Sequence, residues 1–205
     1  MSGGKKKRLE LKRKKKAKQK REKMNTKVMD FFSKSKHKQV SISKEFGICD
    51  DPPPAKNPAY LDEADKIKWI AIVNNSEGKE ITFTAIDNCI EYDFKRADGK
   101  PDKRCDGVLT LGMNIIFVEL KQRKGRKSKD WLNDGEAQLK RTIFHFSKTK
   151  DSIAFKHKYA YIANSKRPVF TRGQAGRTSS FLKETGYILR IQNRIGITHA
   201  KKSKI

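Results

Sequence analysis

The stretch Ile115-Ile116-Phe117-Val118-Glu119-Leu120-Lys121 decides how this chain folds. Its first four residues are an apolar, mostly β-branched run, which is typical of a buried strand. Such a strand rarely carries a carboxylate and an ammonium two positions apart, because an unpaired buried charge is strongly destabilising. Residues i and i+2 of a strand point to the same face. Glu119 and Lys121 are therefore predicted to emerge side by side at the end of the strand.

A second strand is predicted directly before this one, over residues 106–111. The tripeptide Cys105-Asp106-Gly107 opens it, and the glycine and asparagine at 112 and 114 favour a turn. If the two strands form a hairpin, Asp106 returns to lie near Glu119. Two carboxylates and a lysine at one end of a sheet can hold a hard divalent cation and activate a water.

The charge of the chain points to a polyanionic partner. The 205 residues carry a formal net charge of +26. Residues 5–23 contain 13 Lys/Arg and two Glu, so 13 − 2 = +11 lies there and 26 − 11 = +15 lies elsewhere. A tail and a body that are both basic favour nucleic acid as the partner. An anionic membrane surface is disfavoured, because the tail lacks large apolar residues to anchor it.

Composition also bounds the compartment. The sequence contains no run of 18 apolar residues, so no membrane span is predicted. No apolar segment follows the basic start, so no secretory signal is predicted either. The three cysteines and four histidines are scattered, so no structural zinc site is predicted and the thiols are expected to be reduced. We therefore expect a cytoplasmic protein. In a eukaryote a nuclear protein is also expected, because the tail resembles nuclear-localisation sequences in composition.

Three regions are predicted from the composition. Residues 1–24 are a Lys/Arg-rich tail expected to be disordered, residues 25–58 a polar linker, and residues 59–205 the folded domain. Within the linker, residues 25–32 resemble the sliding-clamp-binding box of DNA replication and repair proteins, with Asn25 where glutamine is expected. The alternative is that Phe31 and Phe32 dock on the domain's own surface.

The folded domain is predicted to be an α/β sandwich. Besides the two strands above, the pattern predicts a short helix at 61–68, a hairpin of strands 69–73 and 80–86, a helix at 130–147, a strand at 159–163, a short helix at 179–184 stopped by Gly186, and a strand at 187–191. A helix through 80–86 also fits the spacing of its apolar residues.

Asp106, twelve intervening residues, Glu119, one residue and Lys121 resemble the signature of the PD-(D/E)XK nucleases. The order of elements over about residues 60–195 is also similar to the αβββαβ core of that restriction-endonuclease-like fold, a mixed sheet flanked by helices. Cys105 stands where the name-giving proline would be. The other interpretation of Glu119 and Lys121 is a surface ion pair or a solvated strand end.

The resemblance implies a site for Mg²⁺ or Mn²⁺. Asp106, Glu119 and the backbone carbonyl of Leu120 would be its ligands, Lys121 would orient the attacking water or stabilise developing charge, and Gln138 would hold the water network or a phosphate oxygen.

A further carboxylate is expected from an element before the first motif. Asp87 and Glu91 are the candidates, and an ordinary turn or capping role is the alternative for each. Asp102 is predicted to be a turn residue. Asp134 and Glu136 are assigned to the dipole of the helix's N-terminal turn.

Basic residues around the site are predicted to contact phosphates without reading sequence. They are Arg123, Lys124, Arg126, Lys127, Lys129, Lys140, Arg141, Arg167, Arg172 and Arg177. The resulting hypothesis is a metal-dependent nuclease acting on DNA with structure-selective or low specificity, in which a homodimer would allow double-strand cutting. The rivals are a non-catalytic nucleic-acid-binding protein of the same fold, an RNA- or ribosome-associated basic protein, and an adaptor that binds another protein.

Overall fold

The computed structural model describes residues 31–32, 37–52, 54–90, 99, 102–123, 128–167 and 173–197, with backbone alone at 128–130. Along these residues the chain forms ten strands, two α-helices and one 3-10 helix at Lys150–Ala154. The strands are β1 Lys38–Ser41, β2 Glu45–Cys49, β3 Tyr60–Asp62, β4 Ala71–Asn74, β5 Ile81–Ala85, β6 Gly107–Leu111, β7 Asn114–Lys121, β8 His157–Asn164, β9 Ile188–Ile191 and β10 Arg194–Gly196. The helices are α1 Ser128–Phe146 and α2 Ala175–Thr185.

The larger sheet has six strands in the order β1-β5-β6-β7-β8-β9. Its first three pairings are antiparallel, and the β7–β8 and β8–β9 pairings are parallel. Helix α1 makes the crossover from β7 to β8, which parallel neighbours require. The predicted α/β class with a mixed sheet is therefore confirmed.

The β6–β7 hairpin forms as the sequence predicts. Its turn passes through Gly112, whose φ of 52° lies in the left-handed region that favours glycine. The central strand β7 is buried from Ile115 to Leu120. Helix α1 covers it with Leu139, Ile143 and Phe146, all at most 2% exposed. Gly186 ends α2 in a left-handed C-cap, as expected.

The predicted linker at 25–58 is wrong between residues 38 and 49, where β1 and β2 enter the two sheets. Strand β1 has the polar sequence Lys-Gln-Val-Ser and exposes its middle residues, so no apolar alternation marks it. It is held by antiparallel pairing with β5. Pairing with a strand that is distant in sequence makes this segment part of the domain, and local composition does not reveal such pairing.

Phe31 and Phe32 belong to the same folded unit as the strands and helices above. The Phe31 ring is 2% exposed and meets Phe146 edge-on with centroids 5.2 Å apart. The Phe32 ring lies 5.9 Å from Phe146 and 6.2 Å from Phe155. The alternative in which these rings dock on the domain itself is the one observed, while residues 25–30 of the clamp-like motif lie outside the described residues.

The predicted helix at 61–68 is wrong. After β3 the chain turns, and Asp62 Oδ1 accepts the backbone N–H groups of Ala64 and Asp65 at 3.0 and 2.6 Å. The same oxygen accepts Trp69 Nε1–H at 2.9 Å. An aspartate side chain that accepts hydrogen bonds from nearby backbone N–H groups stabilises a turn in competition with a helix. The acidic residues at the start of 61–68 therefore indicate a turn here and not the first turn of a helix.

The predicted hairpin of residues 69–86 is also wrong, although both of its strands exist. β4 pairs with β2 and β10 in a separate four-stranded sheet of order β10-β4-β2-β3, whereas β5 pairs with β1 and β6. In the small sheet the Trp69 ring packs directly on Gly47, where an added Cβ would lie 2.0 Å from the ring. The contact requires glycine at position 47, and it packs Trp69 against β2 and not against the strand at 81–85.

Neither of the two described helices combines the length and the apolar character needed to cross a membrane.

Candidate functional site

Two carboxylates meet where β6 begins and β7 ends. The antiparallel register pairs Gly107 with Val118, which brings Asp106 opposite the Glu119–Leu120 end of β7. The backbone N–H of Leu120 donates to Asp106 Oδ2 at 2.5 Å. The structure therefore brings Asp106 to the strand end that carries Glu119, as the hairpin predicts.

Glu119 is buried, at 1% exposure. Its Oε1 lies 2.6 Å from Lys121 Nζ, and its Oε2 has no hydrogen-bond partner among the described residues. Burial, followed by the nearby Asp106 charge, raises the pKa of Glu119 well above its usual value. A buried carboxylate oxygen without a partner is costly, and such atoms call for a specific cause, such as an ion.

Gly135 of α1 lets the helix lie directly over Glu119. A Cβ added at Gly135 would sit 3.3 Å from Glu119 Cγ, closer than side chains normally pack. A glycine inside a helix costs about 1 kcal/mol relative to alanine, so a close approach is a physical reason for it. Sequence reasoning overlooked this residue, although a glycine in the middle of a predicted helix is a visible signal.

Asp106 is partly buried and titrates near neutrality. Burial raises its pKa to about 7, against the opposing effect of the Leu120 N–H, and the negative charges of Asp50 and Asp87 add to the increase. Two carboxylates with raised pKa values beside one ammonium make a site that is short of positive charge.

Lys121 connects the carboxylates to α1. Its Nζ lies 2.6 Å from Glu119 Oε1, 3.0 Å from Gln138 Oε1 and 3.5 Å from Asp134 Oδ2. Burial lowers the pKa of Lys121, but the Glu119 charge and hydrogen bond outweigh it, so the pKa is raised and the group stays cationic. Gln138 Nε2 also donates to the carbonyl of Arg104 at 2.9 Å. The predicted Gln138 therefore faces the same site.

The segment before Asp106 is fastened to α1. Cys105 N–H donates to Thr142 Oγ1 at 2.9 Å, and Thr142 Oγ1 donates to the Gln138 carbonyl at 3.0 Å. The Cys105 side chain is fully buried. These bonds fix the backbone that leads into Asp106 relative to the helix that carries Gln138.

Asp102 completes the attachment, and its prediction as a turn residue is wrong. It is 4% exposed, accepts Arg141 Nε at 3.0 and 2.9 Å through its two oxygens, and lies 2.8 Å from His145 Nε2. Burial alone would raise the pKa of Asp102, but the hydrogen bonds from Arg141 and His145 lower it to about 2. A buried aspartate needs such partners, and the helix that supplies them is remote in sequence.

The further carboxylate expected near the site has a candidate that sequence reasoning missed. Asp50, just after β2, raises the pKa of Asp106, and its own pKa is raised by burial and then by the charges of Asp87 and Asp51. Asp87 follows β5, with its side chain 40% exposed and 3.5 Å from Arg104 Nε. Glu91 lies outside the described residues. An Asp pair directly after the apolar run at 46–49 was the available signal.

A divalent cation fits the donor set of this site. Glu119 Oε2 is a buried oxygen lacking a partner in the described part of the chain, and Asp106 is the second carboxylate. Within the described ranges no group of three or more His, Cys, Asp or Glu side chains is arranged to hold a metal. Mg²⁺ usually binds one or two carboxylates and keeps several waters, so two acids suffice. The Leu120 carbonyl stays a predicted third ligand.

Several predicted phosphate contacts are engaged within the protein. Lys140 pairs with Glu136 at 2.8 Å and also with Glu184, and Arg177 pairs with Glu136. Arg141 is held by Asp102 as described above. Acidic side chains on α1, α2 and the 102–105 segment pair with all three, and their contact with phosphate stays a prediction. Sequence spacing indicates the i,i+4 pair of Glu136 and Lys140 within α1. It does not show the pairs that join separate elements, which are Lys140 with Glu184, Arg177 with Glu136 and Arg141 with Asp102.

The remaining basic residues divide between exposed and undescribed positions. Arg123 is exposed just beyond β7, and Arg167 is partly exposed after β8. The side chains of Lys124, Arg126, Lys127, Lys129 and Arg172 lie outside the described structure. Their role in nucleic-acid contact stays a prediction.

Asp134 and Glu136 do not serve the N-terminal turn of α1 as predicted. The helix begins at Ser128, so both lie beyond its first turn. Asp134 pairs with Lys103 at 2.6 Å and reaches Lys121, whereas Glu136 pairs with Lys140 and Arg177. Asp134 is therefore part of the rim of the site.

Comparison with family models, with curated proteins and with solved structures yields no match for this chain.

Proposed function

We propose that this chain is a metal-dependent nuclease that hydrolyses phosphodiester bonds in DNA, with structure-selective or low specificity. The observation that carries the proposal is the buried Glu119 Oε2, unpartnered among the described residues, beside Asp106, whose pKa burial raises to about 7. Such a site gains stability from a divalent cation, because the cation removes the cost of two crowded carboxylates.

The order of elements supports a restriction-endonuclease-like core. Strands β5, β6 and β7 form an antiparallel meander, α1 crosses over, and β8 returns parallel to β7. This succession agrees with the βββαβ part of the core that the resemblance implies. No α-helix precedes β5 in the described ranges, so the first helix of that core is the element without support.

Asp106, Glu119 and the Leu120 carbonyl would hold Mg²⁺ or Mn²⁺. When bound, such an ion polarises a phosphate oxygen and lowers the pKa of a bound water. Asp106 contributes a carboxylate that the Leu120 N–H orients. Glu119 contributes a carboxylate that α1 covers from above at Gly135.

Lys121 and Gln138 supply the remaining polar groups of the proposed site. The Lys121 ammonium is 14% exposed and cationic, so it can donate a hydrogen bond to charge that develops on a phosphate. Gln138 accepts from Lys121 and donates to the carbonyl of Arg104. It therefore links the ammonium to the backbone that precedes Asp106 and keeps it near the proposed site.

The charge of the chain supports a nucleic-acid substrate. A net charge of +26, of which +15 lies outside residues 5–23, favours contact with a phosphate backbone and release of its counterions. Exposed Arg123 lies two residues beyond the end of β7 and of the proposed site. Phosphate contacts carry little sequence information, in keeping with low specificity. A homodimer would place two sites on a duplex and remains part of the proposal.

The deciding experiment is a cleavage assay with matched variants. The full chain is incubated with supercoiled plasmid, single-stranded DNA and RNA, with Mg²⁺, with Mn²⁺ or with EDTA. We expect metal-dependent nicking of plasmid that falls at least about 100-fold in Asp106→Asn, Glu119→Gln and Lys121→Met. Asp151→Asn, in the 3-10 helix, and Lys183→Met, in the last turn of α2, are the controls with conserved activity, because both residues are exposed.

The same assay separates the alternatives. Binding of DNA without cleavage by the wild type would overturn the nuclease and favour a binding module of this fold. Cleavage of RNA alone would replace the substrate. Residual full activity in Glu119→Gln would remove this site from the chemistry.

A further inference from the structure

Lys121 lies where a divalent cation would compete with it. Its Nζ is 2.6 Å from Glu119 Oε1, so the ammonium is the counterion of that buried carboxylate. A second cation at the same carboxylate would repel the ammonium at short range in surroundings of low dielectric. Binding of a metal therefore requires a place for Lys121 to go.

The structure offers that place on α1. Asp134 Oδ2 lies 3.5 Å from Lys121 Nζ, one helical turn before Gln138, whose Oε1 is 3.0 Å away. The three carboxylate and amide groups form a path outward, because Glu119 is 1% exposed while the Asp134 side chain is 50% exposed. A small movement of the flexible lysine side chain exchanges one acceptor for another.

Lys103 keeps Asp134 suited to this role. Its Nζ lies 2.6 Å from Asp134 Oδ1, which leaves Oδ2 directed at Lys121. Burial would raise the pKa of Asp134, but the bonds from Lys103 and the Lys121 charge lower it, so the carboxylate is ionised. Lys103 also belongs to the 102–105 segment that leads into Asp106.

We infer that Asp134 is a positioning residue that, together with Gln138, receives the Lys121 ammonium when a divalent cation takes its place beside Glu119. The inference rests on the proposed nuclease function, because it presumes that this site binds a metal. Asp134 acts through Lys121 and touches neither the metal nor the substrate. Its substitution should therefore matter only while the lysine is present.

A double-mutant cycle on metal binding tests this dependence. Mn²⁺ is titrated calorimetrically into the wild type, Asp134→Asn, Lys121→Met and the double variant, as full chains without nucleic acid. We expect Asp134→Asn to weaken Mn²⁺ binding roughly 3- to 10-fold in the wild type but less than about 2-fold in the Lys121→Met background. Lys121→Met alone should tighten binding, because the competing ammonium is gone.

Two other roles of Asp134 predict different cycles. If it acts as a bare negative charge near the metal, the loss is equal in both backgrounds. If it only ties Lys103 to α1, Lys103→Met reproduces the loss, and the loss persists without Lys121. Either result overturns the inference and leaves the nuclease proposal standing.

Failure of the proposed function gives a separate result. A wild type that binds no Mn²⁺ overturns the metal site and this inference with it. Asp134→Ser is a second variant in case the amide disturbs the fold, and circular dichroism with thermal melting checks that each variant is folded. Asp151→Asn, an exposed carboxylate in the 3-10 helix, should bind Mn²⁺ as the wild type does.

Discussion

Substitution of Asp102 by asparagine should destabilise the domain by an amount that depends on pH. The carboxylate is 4% exposed and accepts hydrogen bonds from Arg141 and His145, which lower its pKa from an ordinary 3.8 to about 2. At about 1.36 kcal/mol for each tenfold change in the ionisation constant, this difference corresponds to roughly 2 to 3 kcal/mol. The Arg141 side chain is 44% exposed, so solvent screens part of the pair, and we expect about 2 kcal/mol at pH 7.

The sign of the pH dependence follows from the lowered pKa. A carboxyl that is more acidic when folded stabilises the protein above its unfolded-state pKa, and this stabilisation is lost as the pH falls through the folded-state value. The difference between wild type and Asp102→Asn should therefore shrink from about 2 kcal/mol at pH 7 to about 1 kcal/mol at pH 3. Burial lowers the pKa of His145, so this residue is neutral at pH 7 and the comparison there isolates the carboxylate.

The assay is urea unfolding followed by tryptophan fluorescence, in EDTA, between pH 7 and pH 3. Asp151→Asn serves as the control, because its side chain is exposed in the 3-10 helix and its removal should leave the curve unchanged. A difference between wild type and Asp102→Asn below about 0.5 kcal/mol at pH 7 would show that the bonds of Asp102 to Arg141 and His145 do not hold the 102–105 segment to α1. A difference that stays constant down to pH 3 would refute the electrostatic explanation.

The site and the aromatic core carry three further predictions. Burial raises the pKa of Asp106 to about 7, so its ionisation should cost the metal-free wild type roughly 2 to 3 kcal/mol of stability as the pH rises from 5 to 8. Asp106→Asn should lose clearly less than the wild type in urea titrations with EDTA, and equal losses would contradict the raised pKa. Gly135→Ala places a Cβ 3.3 Å from Glu119 Cγ and should weaken Mn²⁺ binding in calorimetry. Gly176→Ala is the control, because it has open space around it and should be neutral or slightly stabilising. Similar effects of the two substitutions would show that the close approach of α1 to Glu119 at Gly135 has no special role. Phe31→Ala should cost about 3 kcal/mol in urea unfolding, and a loss below about 1 kcal/mol would mean that the ring is not part of the core.

The part of the site built from one hairpin could be predicted from local sequence. Asp106, Glu119 and Lys121 lie on adjacent strands joined by a short turn, so the period of two and the turn residues are enough to bring them together. Gln138 faces Lys121 as expected from its place on the following helix. These residues are close in sequence, and their meeting requires little knowledge of the rest of the fold.

The contributions from distant segments could not be predicted in the same way. Asp50 comes from a region whose polar composition predicted a linker, and Asp102 was assigned to a turn although it binds α1 about forty residues later. Asp134 was assigned to a helix terminus that begins earlier than expected. In each case the partner is supplied by another element, and no local pattern records it.

Residue order alone determined the apolar strand that ends in Glu119-Leu120-Lys121, the hairpin that returns Asp106 to it, and the strongly basic character of the chain. These features depend on alternation, turn chemistry and net charge, which act within a few residues or over the whole composition. Tertiary structure decided which strands share a sheet, which cations are neutralised by acids on neighbouring helices, and that the Glu119 carboxylate is buried beneath α1. Those outcomes depend on pairing and desolvation between segments far apart in the chain, where a side chain's surroundings, rather than its type, set its charge and its chemistry.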